Sequence, residues 1–228
     1  MSSTINDSSG HPVGPTSIPL RKLRLRVGPF LVAAVLFVLI VLGGLWHIGV
    51  FGGNCRVVVP GVLYRSAQLT GSNLKRELES NHIKSEINLR GDCSGASWYE
   101  DELAQCRSEG VSHADVSLSA THLPPPDQVR RLVNIFDHFP KPMLVHCMGG
   151  ADRSGLASAL FVAIYEKEPV DQAVHDQLTL RYGHVRWSKS RAMDQFFRMY
   201  EENGDGLDIK HWIFREYPAL YRLETHHS

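Results

Sequence analysis

The stretch Pro142–Phe161, PMLVHCMGGADRSGLASALF, is the most informative part of this sequence for its folded structure. It begins with an apolar run, passes through a loop with two glycines, and continues as a segment rich in Ala and Leu. The sequence therefore predicts a buried strand over Met143–His146 and a helix that begins near Ser154. Cys147 follows the strand directly, at the carboxyl end, where ligands bind in an open α/β sheet.

The loop after Cys147 has the composition of a binding site for a tetrahedral anion. Its six backbone N–H groups can surround an oxyanion, its glycines permit a tight turn, and the helix start adds the positive end of a dipole. The guanidinium group of Arg153 can hold two oxygens of the same anion. The predicted binding residues are Arg153 and its neighbours Met148, Gly149, Gly150, Ala151, Asp152 and Ser154.

The same positive surroundings predict a reactive thiol at Cys147. They lower the pKa of the thiol, and the thiolate is the nucleophilic form. A thiolate beside a phosphate-binding loop indicates phosphoryl transfer to sulfur. Ser154 can donate a hydrogen bond to that sulfur, and His146 can orient the loop by bonding to its backbone. An inert buried cysteine is the competing interpretation, and the spacing H-C-x5-R-S-G between strand and helix argues against it.

Residues 146–155 resemble the signature of the cysteine-dependent protein tyrosine and dual-specificity phosphatase superfamily. Gly61–Gln68 and Ile87–Asp92 are also similar to compact bacterial members of the dual-specificity group. The resemblance implies a phosphomonoester hydrolase that needs no cofactor and no metal. It implies that Cys147 attacks phosphorus, that Arg153 and the loop amides stabilise the charged oxygens, and that water hydrolyses the cysteinyl-phosphate.

The acid that protonates the leaving oxygen is left open among three aspartates. The chain has no W-P-D sequence, which marks this acid in many members of the superfamily. Asp92 is preferred because it follows a predicted strand at the edge where ligands bind. Asp152, inside the loop as in relatives with D-R at this position, comes second, and Asp115, within a predicted strand, comes third. Each could instead cap a turn or a helix.

The residues of the loop limit the class of substrate but do not identify one substrate. Related lipid phosphatases that act on multiply phosphorylated inositol rings carry lysines in the loop, whereas this chain has Met148 and Ala151 at those positions. The lower positive charge argues against highly anionic substrates. The candidate substrates are a phosphorylated protein and a singly phosphorylated lipid or sugar. A catalytically silent phosphate-binding domain is the alternative from another class.

Composition excludes other classes of protein. With 43% hydrophobic residues and 4 cysteines among 228 residues, the chain can build an apolar core and is no disulfide-stapled scaffold. Residues 54–228 hold 20 basic and 23 acidic residues, so no nucleic-acid partner is expected. The histidines lack paired metal-ligand spacing, and no metal is expected. Cys93 and Cys106 could pair, but free cysteines are favoured.

The first residues predict a membrane anchor. Residues 1–26 are rich in Ser, Thr, Gly and Pro, end in a basic cluster, and are expected to form a disordered tail. Residues 27–51 carry no charge and, at ~1.5 Å per residue, could cross a hydrocarbon core of ~30 Å as one transmembrane helix. The basic residues before it predict a cytoplasmic N-terminus and a domain, residues 54–228, on the opposite side. An uncleaved anchor is preferred over a signal peptide.

Residues 54–228 alternate short apolar runs with amphipathic stretches, which predicts an α/β fold with a mainly parallel central sheet flanked by helices. Besides the strand before Cys147, strands are expected over Arg56–Val59, Ser85–Leu89 and Val111–Leu118. Helices are expected over Ser72–Asn81, Trp98–Ser108, Asp127–Phe139, Ser154–Lys167, Val170–Tyr182, Ser188–Glu202 and Leu207–Tyr217. Ser97 and Glu100 form an S-x-x-E capping box, and Gly110 is placed to end the same helix.

Overall fold

The N-terminal part of the described chain is a helix. A computed structural model describes residues 27–51 and 53–226. Helix α1 spans Val27–Phe51, the range expected from the sequence, and its side chains from 31 to 44 are exposed. Within those described ranges, no helix is both long and apolar enough to cross a membrane, so the expected transmembrane span is not supported. The expected tail over residues 1–26 lies outside the described residues.

The unit that begins at Gly43 is built on a five-stranded sheet. Its order is β1-β2-β5-β3-β4, and every neighbouring pair is parallel except the antiparallel hairpin of β1 and β2. The predicted mainly parallel sheet is therefore confirmed, since strands joined through helices run in the same direction. The strands are β1 Arg56–Val59, β2 Leu63–Ala67, β3 Ser85–Asn88, β4 Ser112–Asp115 and β5 Met143–Cys147.

Strand β5 lies at the centre of the sheet and is buried throughout. It pairs with β2 on one side, where Cys147 is opposite Ala67, and with β3 on the other, where His146 is opposite Asn88. These residues therefore meet at the carboxyl edge of the sheet. Strand β2 is absent from the sequence prediction, because its residues L-Y-R-S-A include Arg65 and Ser66, yet all five are buried.

Helices connect the consecutive strands from β2 to β5 and follow one another after β5. They are α2 Gly71–Ser80, α3 Ser97–Glu109, α4 Pro126–His138, α5 Asp152–Phe161, α6 Val170–Gln177, α7 Ala192–Asn203, α8 Ile209–Arg215 and α9 Tyr217–His226. A single π-helical turn, Val162–Glu166, extends α5. Short 3₁₀ turns at Leu180–Tyr182 and Lys189–Arg191 explain why α6 ends earlier and α7 begins later than expected.

Helix α5 carries the residues after Cys147 into the core. Its residues from 154 to 161 are all buried, and it packs against α6. A Cβ on Gly155 would lie 2.7 Å from Leu178 Cδ2 and 2.9 Å from the Gln177 carbonyl oxygen. Glycine at this position therefore allows α6 to approach closely, and this contact fixes the direction in which α5 leaves the loop.

The expected capping box forms only in part. Ser97 is the first residue of α3 and its side chain makes no cap hydrogen bond, because Ala96 occupies the N-cap. The Glu100 carboxylate does accept a hydrogen bond of 3.0 Å from the N–H of Gly95. Gly110 ends the helix in the left-handed conformation, with φ 66°, as predicted.

Candidate active site

The loop between β5 and α5 places Cys147 at the bottom of the site. Its side chain belongs to the last residue of β5, and the residue is 2% exposed. The chain turns at Gly150, which has φ 66°. A Cβ there would lie 2.5 Å from the Ala67 nitrogen, whereas a Cβ on Gly149 would meet nothing within 4 Å. The turn thus requires glycine at one of the two positions that the sequence offers.

Replacement of Gly150 by alanine is therefore expected to damage the loop. The new Cβ meets backbone rather than a movable side chain, and left-handed geometry adds strain, so we expect a loss of about 2 kcal/mol in unfolding free energy. Gly149→Ala is the matched control, because its Cβ enters open space. Urea unfolding of both variants checks this. Equal stability in the two variants would contradict the argument.

The thiol of Cys147 has a pKa below its ordinary value. Burial by itself raises this pKa, but the positive charge of Arg153, the hydroxyl of Ser154 and the backbone N–H groups of Ser154 and Gly150 outweigh it. The surroundings thus stabilise the thiolate form of Cys147 relative to an ordinary thiol, in the setting that the sequence predicted for a nucleophile. Ser154 is fully buried, and its Oγ also lies 3.4 Å from the Ser66 carbonyl oxygen, which ties α5 to β2.

Arg153 lies in the first turn of α5 with unused donors. Its Nη1 donates to the Leu118 carbonyl oxygen at 3.3 Å, and its Nε is buried without a hydrogen-bond partner among the described residues. A buried N–H group without a partner is costly, so this donor is prepared for an oxygen that arrives with a ligand. Met148, in contrast, is 67% exposed and can contribute only its backbone to the bottom of the loop.

Arg65 holds the loop from behind. This side chain is fully buried, and its Nη2 donates to the carbonyl oxygens of Gly150 and Ala151, each at 2.9 Å. Its Nη1 donates to the Gln177 carbonyl oxygen at 2.8 Å, and its guanidinium group stacks on the Tyr182 ring at 4.4 Å. The burial lowers its pKa to about 10, so it remains a cation near neutrality.

Asn54 makes a second connection to the same carbonyl groups. Its Nδ2 shares two N–H donors among the carbonyl oxygens of Gly149, Gly150 and Tyr182, which lie 3.1, 3.2 and 2.9 Å away. Because Arg65 and Asn54 draw these carbonyl groups outward, the loop N–H groups are left for a ligand. Sequence reasoning gave neither residue a role, although a charged residue in a buried strand was a signal that could have identified Arg65.

The three candidate acids lie in different settings. Asp92 is exposed, and its Oδ1 accepts hydrogen bonds from the Ser94 hydroxyl and backbone N–H at 2.5 and 2.8 Å, which together lower the pKa of this carboxyl. Asp115 ends β4 and accepts from Asn88 Nδ2 at 2.9 Å and from the Tyr99 hydroxyl at 2.5 Å. Asp92 thus makes the local hydrogen bonds of a turn, and Asp115 joins β4 to β3 and α3.

Asp152 is the candidate acid that lies in the loop itself. It is the first residue of α5, and its Oδ1 is 2.7 Å from His184 Nδ1. The other ring nitrogen of His184 is 2.8 Å from Asp194 Oδ2. Burial lowers the pKa of this imidazole, but the two carboxylates outweigh burial and raise it to about 9. A protonated histidine is thereby held against the loop near neutrality.

His146 does not orient the loop, contrary to expectation. Its ring is buried and faces away toward Glu102, with Nε2 3.3 Å from Glu102 Oε2. Among the described residues, neither of its ring nitrogens makes a hydrogen bond. All four cysteines, Cys55, Cys93, Cys106 and Cys147, are free, as the sequence favoured.

The lowered pKa of the buried Cys147 thiol, together with the unpartnered Nε donor of Arg153 beside it, fits cysteine-dependent phosphoryl transfer. The family model described as the tyrosine phosphatase family matches residues 48–179. The chain therefore belongs to the tyrosine phosphatase family.

Solved structures agree with this fold. Pseudomonas aeruginosa TpbA is similar over 67% of this chain and 88% of its own, with 19% identity and a TM-score of 0.53. The core catalytic domain of the PP-IP phosphatase SIW14 from Saccharomyces cerevisiae is similar over 66% and 93%, with 19% identity and a TM-score of 0.50. At these identities the likeness concerns the fold alone. A search of curated protein sequences finds no match to the chain.

Proposed function

We propose that this phosphatase removes phosphate from phosphotyrosyl residues of proteins, with dual-specificity activity toward other phosphoesters, through a cysteinyl-phosphate intermediate. The observation that carries the proposal is the depth and charge of the site. Cys147 is 2% exposed, so a phosphate must be carried to it on a long substituent, and the tyrosyl ring provides more length than a seryl group.

The surroundings of the loop also suit an aromatic ester. Arg153 is the one cationic side chain among residues 147–155, which fits a single phosphate better than several. A pocket of about 220 Å³ beside His184 is lined in part by Leu180 and Trp187, which are 54% and 83% exposed. Exposed apolar and aromatic side chains near a site favour contact with another macromolecule.

The proposed reaction has two steps. The Cys147 thiolate attacks phosphorus and forms a sulfur–phosphorus bond, while the bond from phosphorus to the ester oxygen breaks and that oxygen takes up a proton. Arg153 and the loop N–H groups stabilise the charge on the three remaining oxygens throughout. Water then attacks phosphorus and gives a proton to the group that protonated the ester oxygen in the first step, while the sulfur–phosphorus bond breaks and inorganic phosphate and the thiolate are released. Ser154 stabilises the sulfur as it leaves.

The proton source is proposed to be the pair of Asp152 and His184. Their contact of 2.7 Å and the raised pKa of His184 keep a proton beside the loop near neutrality. Asp92, although preferred from the sequence, is ionised and bonded to Ser94 on an exposed turn. Proton delivery by a positioned group contributes about 10²-fold or more when the leaving group is poor.

Asp152→Asn is therefore expected to lower kcat by about 10²-fold for phosphotyrosyl peptides and much less for p-nitrophenyl phosphate, whose leaving group needs little protonation. Asp92→Asn is the matched control and is expected to keep activity on both. Steady-state kinetics of the two variants on the two substrates provide the check. A selective loss in Asp92→Asn, with Asp152→Asn intact, would assign the acid to Asp92 instead.

The proposed substrate preference is tested with the full chain in detergent, with reductant present. We expect phosphotyrosyl peptides to be hydrolysed with a higher kcat/KM than phosphoseryl peptides of the same sequence and than a singly phosphorylated inositol lipid in mixed micelles. A preference for the lipid would overturn the proposed substrate and favour a lipid phosphatase. Binding of phosphate without turnover of any ester would overturn the enzymatic activity.

We also propose the location that the sequence predicts, a single-pass membrane protein with residues 54–228 opposite a cytoplasmic N-terminus. Its support is the sequence alone, which has no charged residue between Arg26 and Arg56 and a basic cluster before this gap. The full chain is expected to stay in membranes washed with alkaline carbonate. Extraction by carbonate would overturn the anchor. Protection of residues 54–228 from a protease that reaches the outer face of the membrane would overturn the orientation.

A further inference from the structure

A second cluster of reactive side chains lies under the sheet edge, beyond the active-site loop. It combines two carboxylates and two imidazoles that come from four different elements: Glu86 on β3, Glu102 on α3, His113 on β4 and His146 on β5. Glu86, Glu102 and His146 are each about 1% exposed. The proposed phosphatase reaction uses none of these side chains, although His146 directly precedes Cys147.

Three of the four side chains, Glu86, Glu102 and His113, lie within the distances that ligands of one metal ion keep, and His146 contacts the two carboxylates. Glu102 uses both oxygens: Oε1 is hydrogen-bonded to His113 Nε2 at 3.1 Å, and Oε2 is 3.3 Å from His146 Nε2. His146 Nε2 is also 3.7 Å from Glu86 Oε1. Nitrogen and oxygen ligands at about 2.0–2.1 Å from a tetrahedral zinc ion lie about 3.3 Å from each other. Ligand atoms of Glu86, Glu102 and His113 all lie within 4.8 Å of one another.

His146 provides an independent observation that points to a ligand at this cluster. Its ring is 1% exposed, and neither nitrogen has a hydrogen-bond partner among the described residues. Glu102 Oε2, although only 3.3 Å from Nε2, is also buried without a hydrogen bond. The two atoms are thus close but not aligned for a hydrogen bond, and each keeps a position that a shared ion would fill.

The surroundings resemble the second layer of a metal site. Nδ1 of His113 faces Asp115 Oδ2 at 3.9 Å, and Asp115 is fixed by Tyr99 and Asn88. A carboxylate behind a histidine directs its other nitrogen toward the metal. His113 is also the most accessible of the four, with 10% of its side chain exposed, and provides the side from which an ion could enter. Cys106 donates from Sγ to Glu86 Oε2 at 2.7 Å.

We propose that Glu86, Glu102, His113 and His146 bind one zinc-class divalent cation behind Cys147. Two imidazoles and two carboxylates suit zinc, and the ion's charge replaces the protons that would otherwise balance the buried carboxylates. The site goes beyond the proposed phosphatase activity and takes no part in its chemical steps. Because His146 lies in β5, the ion would stabilise the strand that carries the nucleophile. Sequence spacing could not indicate it, because its ligands are distant along the chain.

The test uses the full chain in detergent and zinc chloride as the probe. All proteins carry Cys147→Ser, so that the active-site thiolate cannot bind the metal. After treatment with a chelator and addition of zinc, we expect one zinc per chain to remain through gel filtration. Competition with a chromophoric chelator should show at least tenfold weaker binding for His113→Ala. His122→Ala, which removes a histidine on an exposed loop, is the matched control and should bind like its parent.

The melting temperature and the absorption of bound cobalt(II) test the same site if one variant folds poorly. Zinc should raise the melting temperature of the parent and of His122→Ala, and should not raise that of His113→Ala. Cobalt(II) should give the visible absorption of a four-coordinate ion in the parent, and this band should be lost in Glu102→Gln. Failure of the parent to retain zinc, or equal affinity in His113→Ala and His122→Ala, would overturn the site and leave the phosphatase proposal intact.

Discussion

Cys147→Ser is expected to lower kcat by about four orders of magnitude or more and to leave the fold intact. Serine is close to cysteine in size, so a residue that is 2% exposed can be replaced without a cavity. A hydroxyl group, however, does not ionise near neutrality, even beside Arg153, and the attacking anion is lost. Hydrolysis of p-nitrophenyl phosphate in the presence of reductant and chelator measures the effect.

Cys93→Ser is the matched control for this experiment, because Cys93 is free and only partly buried. It is expected to keep wild-type kinetics. The ionisation itself can be followed by alkylation: Cys147 should react with iodoacetate with a midpoint below the ordinary pKa of a thiol, because its pKa is lowered in the folded protein. Activity within tenfold of wild type in Cys147→Ser would refute the cysteinyl-phosphate mechanism.

Arg153→Lys is expected to lower kcat/KM by about three orders of magnitude. Lysine keeps the positive charge but replaces a planar fork with a single ammonium group, and it cannot reproduce both the Leu118 contact and the buried Nε donor. The loss should fall on kcat as well as on KM, because the equatorial oxygens of the phosphoryl group are bound most tightly in the transition state.

The control for the arginine is Arg107→Lys on the exposed surface of α3, which should have no effect. Competitive inhibition by inorganic phosphate should weaken in Arg153→Lys and stay unchanged in Arg107→Lys. If Arg153→Lys retained a tenth or more of the wild-type kcat/KM, the guanidinium group would not be the phosphate ligand, and the role assigned to the loop would have to be abandoned.

The central part of the site could be predicted because its determinants are local. A strand, a loop with glycine and a helix follow one another within 20 residues, so Cys147, Gly150 and Arg153 are placed by the chain itself. The mainly parallel sheet followed from the alternation of strands and helices. Sequence could not decide which of the two glycines is required, because the obstacle is the backbone of Ala67 on another strand.

The rest of the site depends on contacts between segments that are distant along the chain. Asn54, Arg65 and His184 reach the loop from residues that precede or follow it by at least 30 positions, and each does so through a polar side chain without a recognisable motif. Strand β2 was missed because arginine is rare in a buried strand. Its charge is tolerated here because five hydrogen-bonding and stacking contacts replace the water that it loses.

The contact between Asn54 and the loop sets a boundary for any shortened form of the protein. The loop carbonyl groups are held by a residue that comes three positions after the last residue of α1, and the Gly53 carbonyl oxygen accepts a hydrogen bond of 2.8 Å from the Ala67 N–H. A cut or a fusion placed at this junction therefore alters the catalytic loop itself. By the same connection, a pull on the chain just after α1 would be transmitted first to the turn that binds phosphate.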